Sequence, residues 1–542
     1  MAAARKDGWL LAALALGLGL RLVELQGPLI DEQAWRQTDT AALARNFHEG
    51  GYRLLYPQVD WRGAGPGYAE TNFPLYAYLV ALLYGACGGP HEWLGRLLAA
   101  VLSTGCGLLL YLLLRRLYPD PWVARAGTFI YLVTPMSWFF GRAFMPEAAM
   151  LFLSVGALLS FCRWLGTGRA ADLALAAAAA ALCYLVKIPT LYLGFPLLYL
   201  SWSRWGLRLF RRPALWLYAA LSLAPAGLWY AHAAGLFRQT GLTFGIWGSA
   251  GYDKWSHGLL LTPDYYLLML QRLGCCVLTP AGLALMVLGA WWWWPRARAG
   301  ETERGPGDHL LLAWLGGLVL YLLLVPEGNR KLHYYQLPFA PVGAGLAALP
   351  LAALLGGLRP RRGRRLWGAF ERLCPGTRRL LAAALLVAVA ASSGWTVRQY
   401  YRPGNNVYHY YESCLAAGCR LDARLPADAL LVVGDLDDNA GAPFRAQSPS
   451  LLYYCHRKGW QITPDQFRGG VLDSLAALGA THFVSAAAFA RAEPAFWRDL
   501  LARGVSTPAT YPSTARTEGQ YLASVRSQQG GERNFVVVSL RP

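Results

Sequence analysis

The chain has 542 residues, 55% of them hydrophobic, with 22 Trp and 29 Tyr; this excludes an ordinary soluble enzyme and points to a polytopic membrane protein. A net charge of +19 raises nucleic acid as a partner. The basic residues, however, stand in short clusters between apolar runs: Arg115 and Arg116; Arg204, Arg208, Arg211 and Arg212; Arg296 and Arg298; Arg359, Arg361, Arg362, Arg364 and Arg365. Such clusters report membrane topology and exclude nucleic acid as a partner.

The first apolar run, GWLLAALALGLGLRLVEL, follows Arg5 and Lys6 and lacks a small-x-small cleavage site, so it reads as a retained signal anchor. Directly after it, PLIDEQAWRQTDTAALARNF presents Asp31, Glu32, Arg36, Asp39 and Arg45. With 8–25 as the first, further spans are expected at 95–114, 122–141, 146–162, 171–186, 189–202, 214–234, 266–294, 308–325, 335–357 and 380–396. The segment FPLYAYLVALLYGACG at 73–88 is decided by parity. If it crossed, the later Arg clusters would face away from Arg5 and Lys6; if it lies in the interface, all fall on the cytoplasmic side together. The expectation is therefore a polytopic α-helical bundle of about eleven crossings. Its N-terminus is cytoplasmic, its membrane domain covers 1–396, and its first external loop, 26–94, carries an interfacial helix.

The remaining residues, 397–542, read differently. The β-rich runs ALLVVGD (429–435), THFVSA (481–486) and NFVVVSL (534–540) alternate with the helical stretches VLDSLAALGA (471–480) and EPAFWRDLLARG (493–504), which predicts an external C-terminal α/β domain. Outside the cytoplasm, Cys414, Cys419 and Cys455 offer a disulfide between two of the three.

On this topology polar residues gather at the outer face. The first loop carries Asp31, Glu32, Arg36, Asp39, Arg45, Asp60, Glu70 and Asn72. The turn GRAFMPEAAM gives Arg142 and Glu147, and LVKIPT gives Lys187. VPEGNRKLHYYQLPFAP adds Glu327, Arg330, Lys331, His333, Tyr334 and Tyr335. Taken singly, Arg142 can snorkel, Glu147 can favour a helix start after Pro146, and Lys187 can anchor at the interface. Together, carboxylates, cations and tyrosines at one face of an apolar bundle suit a substrate with an anionic head and a lipid tail.

The blocks DEQAWRQTDTAALARNF, FPLYAYLVALLYG, GRAFMPE and GNRKLHYYQLPFAP resemble, in content and order, those of bacterial membrane glycosyltransferases of the GT-C type, in the superfamily of protein O-mannosyltransferases and lipid A aminoarabinose transferases. The resemblance covers residues 8–400 in layout. It implies a GT-C-type bundle that transfers a sugar from a polyprenyl-phosphate carrier, with undecaprenyl phosphate the carrier in a bacterial cytoplasmic membrane. It maps an acidic motif onto Asp31, with Glu32 beside it, and a second acidic position onto Glu147. It also departs: where the aminoarabinose transferases carry a lysine before the juxtamembrane helix, this chain has Glu70, Thr71, Asn72, Phe73 and Pro74, so Lys187, Arg330 or Lys331 takes over the phosphate charge.

A phosphate on C1 of a sugar is already a competent leaving group, so the reaction needs a base near the acceptor hydroxyl and positive charge around the departing phosphate. Asp31 is the expected base, with Glu32 and Glu147 the other catalytic candidates. Arg142, Lys187, Arg330 and Lys331 are expected at the phosphate. His333, Tyr334 and Tyr335, with Arg36, Arg45 and Glu70, complete the expected substrate-binding set. Glu147 either holds a basic group in place or joins Asp31 around a divalent cation, Mg²⁺ or Mn²⁺. Tyr76, Tyr78 and Tyr84 are expected to wall a groove for the lipid tail. The acceptor is an envelope glycan, lipid or protein, and membrane lipids are partners throughout. The rival readings are a flippase or other transporter and an O-antigen ligase or polymerase. Charge concentrated at helix ends, and no visible internal repeat, speak against a transporter.

Overall fold

The computed structural model describes residues 7–246, 254–294, 309–356, 370–401, 409–434, 449–512, 514–526 and 535–541, with Leu358 and Gly368. The expected clusters Arg296/Arg298 and Arg359–Arg365 lie outside the described residues. Two compact units form: Met1–Gly27 with Trp93–Ala231 and Asp253–Tyr401, and Pro28–Glu92 with His232–Tyr252 and Arg402–Pro542.

The first unit is helical. Glu92–Leu117, Glu147–Thr167, Pro213–Thr240 and Pro375–Tyr400 are long and apolar enough to cross a membrane. Gly8–Leu22, Ala170–Val186, Leu310–Leu324 and Phe339–Leu354 are shorter apolar helices on further expected spans. Two expected spans are broken by proline. The run 122–141 divides into Pro121–Val133 and Pro135–Phe140, because a residue ahead of Pro is driven out of the helical region and Thr134 is extended. The run 266–294, expected as one span, is instead a helix pair bent by 111° between Val277 and Pro280. Thr279, ahead of Pro280, sits at φ +70, a conformation that a β-branched residue rarely adopts.

Arg21 ties the core of this unit together. It is fully buried, and its guanidinium donates to the carbonyls of Gly17, Leu132 and Ser137 and to the hydroxyls of Ser103 and Ser137, all at 2.9–3.0 Å. A buried guanidinium is tolerable only when its donors are satisfied in this way.

The second unit is built on a four-stranded sheet: β1 (Leu430–Val433), β2 (Lys458–Gln461), β3 (His482–Ala486) and β4 (Phe535–Ser539), in the order β2-β1-β3-β4. β1 runs parallel to β2 and β3, and β4 runs antiparallel to β3. The helices Val471–Ala477 and Pro494–Arg503 lie where the alternating pattern predicts them. Phe467, Phe483 and Phe496 pack on the sheet, with the Phe467 and Phe496 rings stacked at 4.6 Å.

The outer edge of β2 does not stay open. Gly459 donates its N–H to the Asp60 carbonyl at 3.0 Å, and Gly63 donates to the Gly459 carbonyl at 2.6 Å, so residues 60–63 cover the edge. In the same unit the helix Leu75–Ala86 packs against Ala34–Glu49. Tyr76 and Tyr84 of that helix are buried, so they do not wall a lipid groove as expected; Leu79 and Leu82 are its exposed apolar residues. Among the described residues Cys414, Cys419 and Cys455 form no disulfide. Cys455 is buried and points its thiol at the Leu452 carbonyl, and burial pushes its pKa up to about 12.

Candidate functional site

In the first unit the helices Glu147–Thr167 and Ala170–Val186 form an antiparallel hairpin, turning at Gly168 in the left-handed region. That connection places the start of the first helix beside the end of the second. Glu147 opens one and Lys187 follows the other, so each charge complements the dipole of its own helix. They meet: Lys187 Nζ lies 2.5 Å from Glu147 Oε1, and both side chains are buried. The contact is an ion pair by distance. Neither Glu147 oxygen has a hydrogen-bond partner of good geometry among the described residues.

Around this pair stand aromatic rings. The Lys187 ammonium lies 5.0 Å from the centre of the Tyr334 ring and 5.4 Å from that of Tyr335, within cation–π reach. Tyr192 and Tyr321 line, with Glu147 and Lys187, a small cavity of about 20 Å³. The Tyr192 hydroxyl is buried and likewise lacks a hydrogen-bond partner there. The segment carrying the tyrosines is braced from behind. Gln336 donates to the backbone carbonyl of Asn329 at 3.0 Å and to its side-chain oxygen at 2.9 Å, and Arg272 donates to the same backbone carbonyl at 2.7 Å.

The other candidates of this unit have partners of their own. Arg330 makes a two-pronged bond to Glu327, both contacts at 2.6 Å, and Lys331 lies 3.4 Å from the same carboxylate. Burial opposes ionisation of Glu327, but the two cations outweigh it and hold its pKa below the usual range. Arg142 pairs with Glu24 at 3.0 Å and lies over the Phe139 ring. His333 is buried and stacks on Tyr401.

In the second unit Asp31 precedes the helix Ala34–Glu49 and is buried. Gln37, one turn into that helix, donates to Asp31 Oδ1 at 2.5 Å and to the Glu32 carbonyl at 2.9 Å, which fixes the direction of the Asp31 carboxylate. Glu32 accepts from the Gln33 amide at 2.8 Å. The Arg36 guanidinium lies 4.8 Å from the centre of the Phe244 ring. Trp61 packs on the same ring and donates to Asp39 at 3.1 Å. Glu70 is buried and accepts from the Thr243 hydroxyl, while its backbone bridges to residues 242–244. Arg45 is joined to Asp60 at 2.5 Å and to the Tyr453 carbonyl at 3.0 Å. Lys458 also reaches Asp60, at 2.5 Å. Burial raises the Asp60 pKa, yet Arg45 and Lys458 overcome it and hold the group at about 2.

A divalent cation does not fit Glu147, whose carboxylate is already neutralised by an ammonium. Among the described residues no three of His, Cys, Asp and Glu draw together as a metal site. Gln37, Lys458 and Tyr192 contribute without having been singled out in the sequence. Gln37 lies within the quoted acidic block, and its place one turn beyond Asp31 was the available signal.

Residues 70–230 match the family model described as dolichyl-phosphate-mannose-protein mannosyltransferase. No curated protein matches the chain by sequence. Among solved structures the chain is similar to ArnT from Cupriavidus metallidurans bound to undecaprenyl phosphate, at 14% identity over 99% of this chain and 98% of that one, TM-score 0.58. It is also similar to the Archaeoglobus fulgidus oligosaccharyltransferase in complex with Zn and sulfate, at 15% identity over 88% and 68% of the two chains, TM-score 0.55. A third likeness, to the mycobacterial arabinofuranosyltransferase AftD, has 18% identity over 98% of this chain and 40% of that one, TM-score 0.50.

Proposed function

From the GT-C glycosyltransferase fold that these likenesses share with this chain, we propose that the protein moves a sugar from a polyprenyl-phosphate carrier to an envelope acceptor. The reaction takes place at the outer face of a bacterial cytoplasmic membrane. The ArnT structure holds undecaprenyl phosphate, which supports that carrier here. About eleven crossings, a cytoplasmic N-terminus and an external 397–542 domain belong to the same proposal.

The observation that carries the reading is the Glu147–Lys187 pair beneath Tyr334 and Tyr335. A buried carboxylate with unmet hydrogen-bond capacity suits sugar hydroxyls, which donate, and the ammonium beside it suits a phosphate oxygen. Tyrosine faces stack on a pyranose or furanose ring. Asp31 takes the proton of the acceptor hydroxyl as its oxygen attacks C1. The C1–O bond to phosphate breaks, the phosphate leaves on the carrier, and the anomeric centre inverts. Arg142, Arg330 and Lys331 are further candidates at the phosphate, and Arg36 and His333 at the sugar. Arg45 and Glu70, fastened to Asp60 and Thr243, serve the scaffold.

The test is a mass-spectrometric comparison of lipid-linked and envelope glycans in cells carrying the wild-type chain or Asp31→Asn. One polyprenyl-phosphate sugar should accumulate in the variant while one envelope glycan loses the same sugar. Unchanged pools at normal membrane expression reject the reading and bring a transporter forward.

A further inference from the structure

A second apolar feature of the first unit runs along the helices from the Lys187 side to their arginine-rich far end. The helix Gly194–Trp205 starts near Lys187, runs for 12 residues and ends at an arginine-rich turn, so its two ends are about 18 Å apart. Gly206 makes the turn at φ +54, which favours glycine. The short helix Gly206–Arg211 then leads into Pro213–Thr240.

Between these helices runs an apolar groove of about 370 Å³. Phe161, Tyr184, Leu197 and Ser201 line its floor, and Phe210 and Trp216 form its lip. The lip is more than half exposed: Phe210 at 57% and Trp216 at 61%. Its shape is fixed, because the Trp216 indole donates to the Phe210 carbonyl at 2.9 Å.

The lip end is also the most one-sidedly charged place in this part of the chain. Arg204, Arg208, Arg211 and Arg212 are all exposed. From Leu173 to Tyr252 the sequence contains no Asp or Glu. None of the four makes an ion pair among the described residues, and Arg212 lies over the Trp205 ring. Guanidinia bind phosphate by paired N–H donors, and basic clusters at the cytoplasmic end of an interhelical groove suit anionic lipid headgroups.

We propose that this groove holds an anionic phospholipid of the cytoplasmic leaflet, its acyl chain along Leu197 and Tyr184 and its phosphate among Arg204, Arg208, Arg211 and Arg212. The site goes beyond the transfer reaction and rests only on the membrane placement. The donor's phosphate does not belong among these arginines, because Glu147 and Lys187 stand toward the opposite end of the groove. The groove and the arginines act as one site, since each answers one half of a phospholipid.

The test uses the full chain, delipidated in mild detergent and examined by native mass spectrometry with phosphatidylglycerol, phosphatidylcholine of the same chains, or undecaprenyl phosphate. Wild type should retain phosphatidylglycerol about tenfold over phosphatidylcholine, with the preference falling as salt rises. Replacing all four arginines by Gln should abolish that preference, while Arg468→Gln with Arg516→Gln should leave it intact. Ser201→Trp, which fills the groove, should reduce retention with the arginines in place. Equal retention of the two phospholipids by wild type, a measurement needing no variant, overturns the proposal. So does displacement of phosphatidylglycerol by undecaprenyl phosphate, or retention indifferent to Ser201→Trp.

Discussion

Asp60 and Lys458 are 398 positions apart, yet Lys458 Nζ lies 2.5 Å from Asp60 Oδ1, and Arg45 holds the other oxygen at 2.5 Å. The Asn46 amide donates to Asp60 Oδ1 at 3.0 Å. One carboxylate thus binds residues 45, 46 and 60 to β2 of the C-terminal sheet. Removing it leaves Arg45 buried and Lys458 half-buried without that counterion, which costs about 3–5 kcal/mol. Asp60→Asn should therefore unfold the second unit at markedly lower temperature, seen by tryptophan fluorescence or limited proteolysis.

The same cluster sets an acid limit. The folded pKa of Asp60, about 2, lies below the ordinary value of 3.8, so the cluster's contribution is present above about pH 4 and is lost as pH falls toward 2. The expected loss is on the order of 2 kcal/mol. Wild type should lose melting temperature steeply across that window, and Asp60→Asn should show a shallower fall. Parallel curves for the two chains would show that another group governs acid unfolding.

Gly459 supplies a backbone test. It pairs with Leu431 across β1 and β2, and a Cβ built there would lie 1.8 Å from the Leu431 carbonyl oxygen. Gly459→Ala has to move the strand, at about 3 kcal/mol or more. Gly469→Ala, with nothing within 4 Å, should stay within about 0.5 kcal/mol of wild type in the same melt.

These contrasts mark what the sequence could tell. Long apolar runs gave the helices, because hydrophobic length is a local signal. The strands at 430–433, 482–486 and 535–539 were legible as short β-rich runs. β2 was not: KGWQ is four residues with a charge and a glycine, and it is a strand because its neighbours pair with it. Among site residues, type and position were legible but partners were not. Glu147 and Lys187 were each visible, but only the hairpin shows that they meet. Arg45 and Glu70 look like ligands because they are charged and fall in a loop expected outside the membrane. Arg45 is fastened to Asp60, 15 positions on in the same loop, and Glu70 to Thr243, 173 positions away, and no local periodicity marks either pair.

Breaking the Glu147–Lys187 pair separates a scaffold role from a substrate role. Glu147→Gln and Lys187→Met should each cost about 3–5 kcal/mol, because each strands a buried charge. The double variant should recover most of that stability, having neither charge to bury. If the pair serves the substrate, transfer in the double variant should stay at least about a hundredfold below wild type despite the regained melting temperature. Regained activity alongside regained stability would make the pair a structural clamp only.

The positioning of Asp31 can be tested apart from its charge. Gln37 holds one carboxylate oxygen from one turn into the following helix, so Gln37→Leu leaves the proposed base in place but frees its direction. Misorientation of a reacting group costs up to about a hundredfold, whereas losing the base costs about a hundred- to ten-thousandfold. In a transfer assay with purified chain and a polyprenyl-phosphate sugar, Gln37→Leu should lower kcat with little change in donor KM, and Asp31→Asn should fall further. Gln37→Glu places a second carboxylate against Asp31 and should be worse than Gln37→Leu, since like charges in a buried site repel. An order in which Gln37→Leu matches wild type while Asp31→Asn is dead would leave Asp31 as the base but held by some other neighbour.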